Sequence, residues 1–368
     1  MKIARYNYPD QFGDQLDAVV DDVRQMLVAG RYILSAEVSD FEQAFAGYVG
    51  TRFAKGVNSG TDALVLALAA LGIGPGDEVI TAANTFNATV AAIRLAGATP
   101  VLVDADEQSF LLDVKQLPAA ITQRTKALLP VHLYGKPCPM GEIMRIAQSA
   151  SLLVVEDAAQ AHGAKVDGKR VGSFGQAGCF SFHPSKNLAA AGDAGMLVTS
   201  DEAVDQFCQK ARSLGQEGQN NHVILGGNTK LDAIQARVLS AKLPRLDAWN
   251  AQRRQVAAAY RERLADLPLG CQSTSPDEEH VYHLFQVRTP RRDELLTYLK
   301  ERGVDAVTRY PQPIHLQEAF AGCWKPGQFP VAEALCNELL CLPIRPDMGE
   351  DEIDYVATTV RSFFEGTA

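Results

Sequence analysis

Helical and strand patterns alternate along much of the first 200 residues, and this alternation most limits how the chain can fold. Helical stretches such as DALVLALAAL (62–71) and MGEIMRIAQSA (140–150) alternate with short apolar runs, among them TPVLVD (99–104) and SLLVVED (151–157). Strands separated by helices of about ten residues predict βαβ units and a mostly parallel sheet. Because ligands bind at the carboxyl ends of such strands, polar residues at those ends are candidates for a functional site.

A change of pattern after Asn228 indicates a second structural unit. Two long amphipathic segments, 229–243 and 245–264, flank Pro244, and shorter strand and helix patterns follow towards the C-terminus. Proline interrupts helices, so this pair is typical of a connector between two units. The predicted fold is α/β, with a mostly parallel central sheet flanked by helices in the large domain and a smaller α+β domain. These domains are assigned to 12–245 and to 1–11 together with 246–368.

Composition and charge narrow the classes to which this protein can belong. The chain has 368 residues and a formal net charge of −9, which disfavours non-specific binding to nucleic acid. Its seven cysteines and seven histidines are scattered, without the spacings of metal sites or of a disulfide framework. The N-terminus has no apolar signal core, and the apolar runs are too short to span a bilayer. These features predict a cytoplasmic protein with reduced thiols, no metal, and no membrane or nucleic-acid partner.

The segment 151–187 carries the clearest indication of chemistry. One strand pattern ends on Asp157, and a second apolar run is followed by Lys186. An unpaired buried carboxylate is costly, so Asp157 needs a cationic partner, and a lysine just beyond a strand is a candidate for imine chemistry. Together they suit pyridoxal 5′-phosphate (PLP), which needs an acid at its pyridine nitrogen and an amine at its aldehyde. For each residue alone, a structural aspartate or a surface lysine is the alternative.

A phosphate cradle is predicted upstream of this segment. Gly60 and Thr61 stand where the first sheet-associated helix begins, and helix N-termini bind phosphate through unpaired N–H groups. Ser181 supplies a second hydroxyl five residues before Lys186. A plain helix cap is the alternative explanation for the first two residues.

Other residues suit the ring of the same cofactor. Phe86 follows a predicted strand and could stack on a pyridine face, with a core phenylalanine as the alternative. Gln160 lies three residues after Asp157 and could bond near the ring hydroxyl. His162 and His183 are further candidates, and structural histidines are the alternative for both.

A series of motifs extends over nearly the whole chain. In order, they are NSGTDALVLALAALGIGPGDEVI, ANTFNATVAAI, GATPVLVD, VHLYGKP, VVEDAAQAHGA, FSFHPSKNL and LDAIQARVLSAKL. This series resembles the DegT/StrS-type sugar aminotransferases. The resemblance implies the aspartate-aminotransferase fold (PLP-dependent transferase fold type I), PLP as cofactor with pyridoxamine phosphate as its aminated form, and a homodimer with active sites shared between subunits.

The resemblance also implies roles for individual residues. Lys186 corresponds to the lysine that holds the cofactor aldehyde, and Asp157 to the partner of the pyridinium nitrogen. Asn228 resembles an asparagine that reaches the phosphate from the other subunit, and Lys230 stands where the family usually has an arginine with its planar fork. The implied cofactor contacts are Gly60, Thr61, Phe86, Asp157, Gln160, Ser181, Lys186 and Asn228. The implied substrate-side residues are His183, Tyr310 and His315.

The implied reaction moves an amino group from an amino acid, usually L-glutamate, to a keto group on a nucleotide-linked sugar. The segment AAAGDAGM after Lys186 is similar to that of members acting on 3-keto sugars, which favours a 3-keto-6-deoxyhexose. Lys230 and Arg309 are candidate basic contacts for the nucleotide. A cyclitol aminotransferase and a PLP-bound regulator without turnover are the alternatives. The particular sugar, the nucleotide, the stereochemistry and the pathway are left open.

Overall fold

A seven-stranded sheet forms the centre of the computed structural model, which describes residues 1–366. In chain order the strands are Phe53–Val57 (β1), Glu78–Ala82 (β2), Thr99–Val103 (β3), Thr125–Leu129 (β4), Leu153–Asp157 (β5), Lys165–Val166 (β6), Lys169–Arg170 (β7), Ala177–Ser181 (β8), Gly195–Thr199 (β9), Gly270–Cys271 (β10), Glu278–Glu279 (β11), Phe285–Arg288 (β12) and Leu339–Leu342 (β13). The order in the large sheet is β1-β9-β8-β5-β4-β2-β3, and β9 pairs antiparallel with both of its neighbours. The other six strands run in one direction, so the predicted mostly parallel α/β sheet is confirmed.

Helices cover both faces of this sheet and continue into the C-terminal part of the chain. In chain order they are Leu16–Ala29 (α1), Ala36–Val49 (α2), Gly60–Ala70 (α3), Asn87–Leu95 (α4), Leu117–Ala120 (α5), Met140–Ser149 (α6), Glu202–Ala211 (α7), Ala233–Lys242 (α8), Leu246–Arg263 (α9), Arg292–Glu301 (α10), Pro330–Glu338 (α11) and Glu350–Glu365 (α12). Among residues 1–366, no helix combines the length and the apolar composition needed to cross a bilayer.

Two hydrophobic cores lie on opposite faces of the sheet, because successive side chains of a strand point to opposite sides. On β8, Cys179 packs into the core that contains α3 and α6, whereas Phe180 packs into the core that contains α2 and α8. On β9, Leu197 belongs to the first core and Met196 to the second. All five residues of β9 are buried, which is expected of a strand covered on both faces.

A smaller unit is built on the antiparallel sheet β10-β12-β13. Its core combines residues of α9, α10 and α12 with strand residues such as Val287. The N-terminus joins this unit: Ile3 is fully buried in the same core, its N–H donates to the Gly303 carbonyl at 2.9 Å, and its carbonyl accepts from Asp305 N at 2.9 Å. The domain boundaries themselves stay a prediction.

One proline explains why the chain is interrupted between α8 and α9, where the two units are connected. Between α8 and α9 the chain makes a single 3₁₀ turn, Leu243–Arg245, with Pro244 inside it. Proline lacks the N–H that would continue the α-helical bonding of α8, so the two helices remain separate. The following helix, α9, then carries the chain into the small unit, where Val256 and Tyr260 are buried.

Candidate active site

A cavity of about 350 Å³ opens at the carboxyl ends of β5 and β8, beside the N-termini of α3 and α4. The sheet topology explains this position, because β5 and β8 are parallel neighbours whose carboxyl ends meet at one edge. The predicted residues that line the cavity are Gly60, Thr61, Phe86, Asp157, Gln160, Ser181, His183, Lys186 and Tyr310. Residues separated by as many as 250 positions in the chain thus meet around one space.

The N-terminus of α3 forms one end of the cavity. The Ser59 hydroxyl caps the helix by accepting from Asp62 N at 3.1 Å, which leaves the N–H groups of Gly60 and Thr61 without intrahelical partners. A Cβ added to Gly60 would lie 2.8 Å from the Cβ of Ser181. Only glycine therefore lets the helix end approach the Ser181 hydroxyl so closely, and the result is a small anion cradle of N–H and hydroxyl groups.

Asp157 ends β5 and is buried at the base of the cavity. Its Oδ2 accepts from the Thr89 hydroxyl at 2.8 Å, and its Oδ1 accepts from Ala159 N at 3.2 Å. Burial raises the pKa of this carboxyl, while the hydrogen bond from Thr89 lowers it. A cation in the cavity would favour the ionised form further, so the site is suited to a protonated ring nitrogen.

Lys186 supplies the amine on the cavity wall. Burial lowers the pKa of Lys186 to about 8, the Asp157 carboxylate opposes this shift, and the Arg309 guanidinium adds to it. The lysine is therefore neutral in a useful fraction of molecules near physiological pH. A neutral amine can attack an aldehyde and can accept a proton, whereas an ammonium group can do neither.

Two aromatic rings and an amide line the remaining wall. The rings of Phe86 and Tyr310 stack with centroids 5.3 Å apart and an interplanar angle of 29°. Gln160 Nε2 donates to the Tyr310 hydroxyl at 2.9 Å, and Gln160 Oε1 accepts from Tyr134 N at 2.7 Å. These bonds fix Gln160 and Tyr310 relative to each other, while half of the Phe86 surface remains exposed.

These residues fit PLP. The α3 cradle, which a Cβ on Gly60 would fill, offers N–H and hydroxyl donors to a phosphate group. Asp157 is a buried carboxylate without an arginine or lysine ion pair among residues 1–366, which suits a pyridinium partner. Lys186 suits the aldehyde, and the exposed face of Phe86 suits a heteroaromatic ring.

A buried network behind the cavity holds the strand end that carries Asp157. The neighbouring Glu156 is fully buried, and its carboxylate accepts from three backbone N–H groups of residues 172–175 at 2.7 to 2.9 Å. His132 Nδ1 accepts from Cys138 N at 2.9 Å, so the ring hydrogen is on Nε2, which donates to Glu156 at 3.1 Å. Glu156 thus ties β5 to the turn before β8, which fixes the position of the adjacent Asp157.

Two predicted site residues lie away from this cavity. Asn228 is exposed and its side-chain oxygen accepts from Lys230. His315 is buried beside α11, where its Nε2 is 2.9 Å from Glu333 Oε1 and its ring contacts Phe329 edge-on. The roles of Asn228 and His315 stay predictions.

Several further residues line the cavity without having been singled out from the sequence. They are Tyr6, Ser59, Ser185, Asp193 and His283. Tyr6 comes from the N-terminal segment that joins the small unit, and no local pattern marks it. Thr89, which orients Asp157, could have been suspected because it lies in the first turn of α4, three residues after the N-cap residue Phe86.

Several known proteins similar to this chain are named as sugar aminotransferases. The DegT/DnrJ/EryC1/StrS aminotransferase family profile matches residues 15–361. The dTDP-3-amino-3,4,6-trideoxy-α-D-glucose transaminase of Streptomyces venezuelae is 46% identical over 345 residues, covering 93% of this chain and 91% of that protein. The UDP-N-acetyl-3-dehydro-α-D-glucosamine 3-aminotransferase of Acidithiobacillus ferrooxidans is 42% identical, covering 96% of each chain. A pleiotropic regulatory protein of Geobacillus stearothermophilus is 43% identical, also covering 96% of each.

Solved structures agree with these sequence relationships. The crystal structure of S. venezuelae DesV in complex with a ketimine intermediate matches with a TM-score of 0.96 and 43% identity, covering 99% of both chains. The structure of NtdA from Bacillus subtilis with bound pyridoxamine phosphate matches with a TM-score of 0.92 and 31% identity, covering 99% of this chain and 85% of that one. Both the fold and the type of cofactor predicted from the sequence are thereby confirmed.

Proposed function

The chain belongs to the DegT/DnrJ/EryC1/StrS aminotransferase family and is a PLP-dependent sugar aminotransferase, and we propose that it aminates a nucleotide-linked 3-keto-6-deoxyhexose with L-glutamate as the donor. The single observation that carries this reading is the meeting of Asp157, Lys186 and the α3 cradle around one cavity. An acid, an amine and an anion site at these positions are the three partners that PLP requires.

The residues of this chain have distinct tasks in the proposed reaction. The bound cofactor supplies an electron sink that stabilises negative charge on the carbon next to the transferred amine. Asp157 would keep the ring nitrogen of the cofactor protonated. Lys186 would hold the cofactor aldehyde, and its neutral amine would move a proton at the substrate carbon. Ser181 and Thr61 would hold the phosphate.

Support for a 3-keto sugar comes from the relatives and from the loop after Lys186. The transaminases of S. venezuelae and A. ferrooxidans are both named for amination at C3, on dTDP-linked and UDP-linked sugars respectively. In this chain the segment AAAGDAGM follows the lysine, and its Asp193 lines the cavity. A nucleotide diphosphate is remote from the keto carbon, so its binding positions the sugar without entering the chemistry.

A PLP-bound regulator is the second candidate, since one relative with 43% identity is named a pleiotropic regulatory protein. Such a protein would keep the cavity and the cofactor but would not turn over. Lys186, Asp157 and Ser181 are all present and line the cavity, which favours an enzyme. A reaction with glutamate distinguishes the two candidates.

We further propose a homodimer whose subunits share active sites. The face formed by α1 and residues 30–34 exposes apolar side chains, with Val28 86% and Ile33 55% accessible. Leu225, three residues before Asn228, is 98% accessible. Exposed apolar surface of this kind marks an interaction site, and a second copy of this chain covering it would bring Asn228 towards a neighbouring cavity.

We also assign the protein to the cytoplasm. All seven cysteines are free thiols, and five of them are buried. Reduced cysteines are typical of a compartment in which thiols are kept reduced.

The test is a half-reaction followed by a substrate screen. Purified protein loaded with PLP should show a visible absorption band that disappears when glutamate is added. Nucleotide-linked amino sugars and amino cyclitols are then supplied with 2-oxoglutarate, and the formation of glutamate is measured. Turnover with a nucleotide-linked 3-amino sugar supports the proposal.

Two variants serve as controls for this test. Lys186→Ala should lose both the band and turnover, whereas Asp157→Asn should keep the fold and lose catalysis. A protein that binds PLP but leaves glutamate unchanged would favour the regulator. Turnover with amino cyclitols alone would favour the cyclitol aminotransferase.

A further inference from the structure

Arg309 provides a positive charge on the cavity wall, and no acidic side chain among residues 1–366 forms an ion pair with it. It lines the same cavity as Asp157 and Lys186. Within residues 1–366 its guanidinium forms no ion pair, hydrogen bond or contact over an aromatic ring, and its backbone carbonyl alone accepts, from the Tyr134 hydroxyl at 3.0 Å. Arginine carries five N–H donors in a rigid fork, so a partly enclosed guanidinium without a partner indicates a missing anion.

The other arginines near Lys186 are already occupied. Arg5 and Arg345 form ion pairs with Asp305 at 2.9 Å and with Asp347 at 3.1 Å. Arg253 is buried and donates to two backbone carbonyls at 3.0 and 3.2 Å. Of the lysines and arginines in the described part of the chain, Lys186 and Arg309 are those that line the cavity. Since Lys186 is needed as a reactive amine, Arg309 is the cation left to bind an anion.

The position of Arg309 is fixed by residues that also shape the cofactor site. Tyr134, whose hydroxyl bonds to the Arg309 carbonyl, is fully buried and donates its N–H to Gln160. The next residue, Tyr310, accepts from Gln160 and stacks on Phe86. The segment is therefore held on both sides, and the guanidinium is close enough to Lys186 to lower the pKa of that amine.

In every α-amino-acid donor, the carboxylate and the reacting amine are bonded to the same α-carbon. That carboxylate enters a cavity whose acidic residues, Asp157 and Asp193, repel it. Burying it without a cation would be costly. An arginine beside Lys186 offers charge and two parallel hydrogen bonds at the required place.

We propose that Arg309 binds the α-carboxylate of the amino-acid donor and thereby selects α-amino acids over other amines. This inference rests on the proposed aminotransferase function and adds the residue that recognises the donor. A donor held at Arg309 by its α-carboxylate would have its amine in the same cavity as Lys186. The nucleotide diphosphate of the acceptor sugar must then find its cation elsewhere.

The experiment compares two donors on holoenzymes. L-Glutamate and its α-amide, isoglutamine, differ at the α-carboxylate alone, and each is mixed with PLP-loaded protein while the visible band is followed in single turnover. The variants are Arg309→Ala, Arg309→Lys and, as matched control, Arg94→Ala at the exposed far end of α4. Calorimetric titration with glutarate, a dicarboxylate without an amine, gives a binding constant that does not depend on turnover.

The expected result is a loss of discrimination between the two donors. The native protein and Arg94→Ala should prefer glutamate to isoglutamine by about 30-fold or more, the size typical of a buried charge pair. Arg309→Ala should react weakly and equally with both donors and should bind glutarate more weakly. Arg309→Lys should keep part of the preference, because it retains the charge without the fork.

Other outcomes overturn the inference and are separable from failure of the proposed function. If Arg309→Ala keeps the preference for glutamate, the α-carboxylate is bound elsewhere. If this variant loses the half-reaction with nucleotide-linked amino sugars and keeps that with glutamate, Arg309 serves the nucleotide. Suppose that the native protein reacts with glutamate and with no nucleotide-linked amino sugar. The proposed sugar acceptor is then wrong, and the comparison of glutamate with isoglutamine still decides the role of Arg309.

If the native protein reacts with neither glutamate nor isoglutamine, both the proposed function and the role of Arg309 are wrong.

Discussion

At the scale of single residues, the ionisation of Asp157 depends on a short chain of hydroxyl groups. A carboxylate oxygen only accepts, so Thr89 donates to Asp157 at 2.8 Å and must accept from the Thr85 hydroxyl, also at 2.8 Å. All three residues are buried. Burial favours the neutral acid, and the directed hydroxyl chain favours the carboxylate that a pyridinium requires.

Replacing Thr89 by valine should therefore impair catalysis in a pH-dependent way. Loss of the donated hydrogen bond raises the pKa of Asp157 further, so the acidic limb of the kcat/KM profile should move to higher pH. A loss of about tenfold at neutral pH is expected for one hydrogen bond to a charged group. Thr89→Ser should restore the profile.

Thr81→Val is the matched control for this change. The Thr81 hydroxyl is equally buried but donates to the Leu129 carbonyl at 2.8 Å, outside the cavity. This variant should lose some stability without moving the profile. An unshifted profile in Thr89→Val would show that the hydroxyl chain does not control Asp157.

The lowered pKa of Lys186 predicts how cofactor capture depends on pH. The neutral amine attacks the aldehyde, and its fraction grows as the pH rises through the pKa of about 8. The rate constant for PLP capture by the apoprotein should thus rise about tenfold per pH unit below 8 and level off above it. Stopped-flow absorbance measures this rate, with Lys126→Ala, an exposed lysine, as control. A midpoint near that of a free lysine would contradict the assignment.

At the scale of elements, the cofactor cradle exists because α3 approaches the sheet without side chains between them. A Cβ on Gly60 would meet Ser181 of β8, and a Cβ on Gly195 of β9 would lie 2.3 Å from the Ser59 carbonyl carbon. Both contacts are too short for any real methyl group. Two glycines on different elements therefore set the distance between the helix end and the strand hydroxyl.

Gly60→Ala should push α3 away from β8 and weaken cofactor binding. We expect at least a tenfold rise in the PLP dissociation constant and a loss of about 1 to 3 kcal/mol in unfolding free energy, the usual cost of overpacking. Fluorescence titration and urea denaturation measure the two effects. Gly141→Ala is the control, because a Cβ there meets nothing within 4 Å and that residue also lies in the first turn of a helix. Equal cofactor affinity in both variants would exclude the close-approach argument.

At the scale of the whole molecule, the cavity depends on distant parts of the chain and, in our proposal, on a second subunit. Tyr6 reaches it from the N-terminal segment and Arg309 and Tyr310 from the C-terminal part of the chain, while Asp157 ends β5 and Lys186 follows β8. The apolar face near α1 and the side chain of Asn228 are exposed in the single chain. In our proposal, both are covered by the second subunit.

Mixed dimers test the contribution of Asn228 across the interface. Asn228→Ala and Lys186→Ala should each be inactive as homodimers. If Asn228 acts in its partner's site, a mixed dimer of the two variants contains one intact site, and a refolded equimolar mixture should regain about one quarter of native activity. Mass measurement of the native protein should give twice 39.8 kDa. Absence of regained activity in verified mixed dimers would refute the shared site.

The sequence by itself determined the class of fold and the chemistry. Alternating periodicities specify a mostly parallel sheet, and its strand ends select Asp157 and the region before Lys186, because these patterns are local in the chain. The elements α1, α2 and β1 before residue 60 were not predicted. The partner of β1 in the sheet is β9, some 140 residues later, so no local pattern marks this strand. The reversed direction of β9 was likewise invisible from local patterns.

Tertiary structure alone decided which residues share the cavity. Tyr6 and Asp157 meet there although they are far apart in sequence, and the bond from Thr89 to Asp157 joins α4 to β5. His315 lies near Arg309 in the sequence yet packs against Glu333 of α11 and does not line the cavity. Spacing along a chain specifies periodic faces of helices and strands, whereas side-chain neighbours across elements depend on how those elements pack, which is set by burial over the whole molecule.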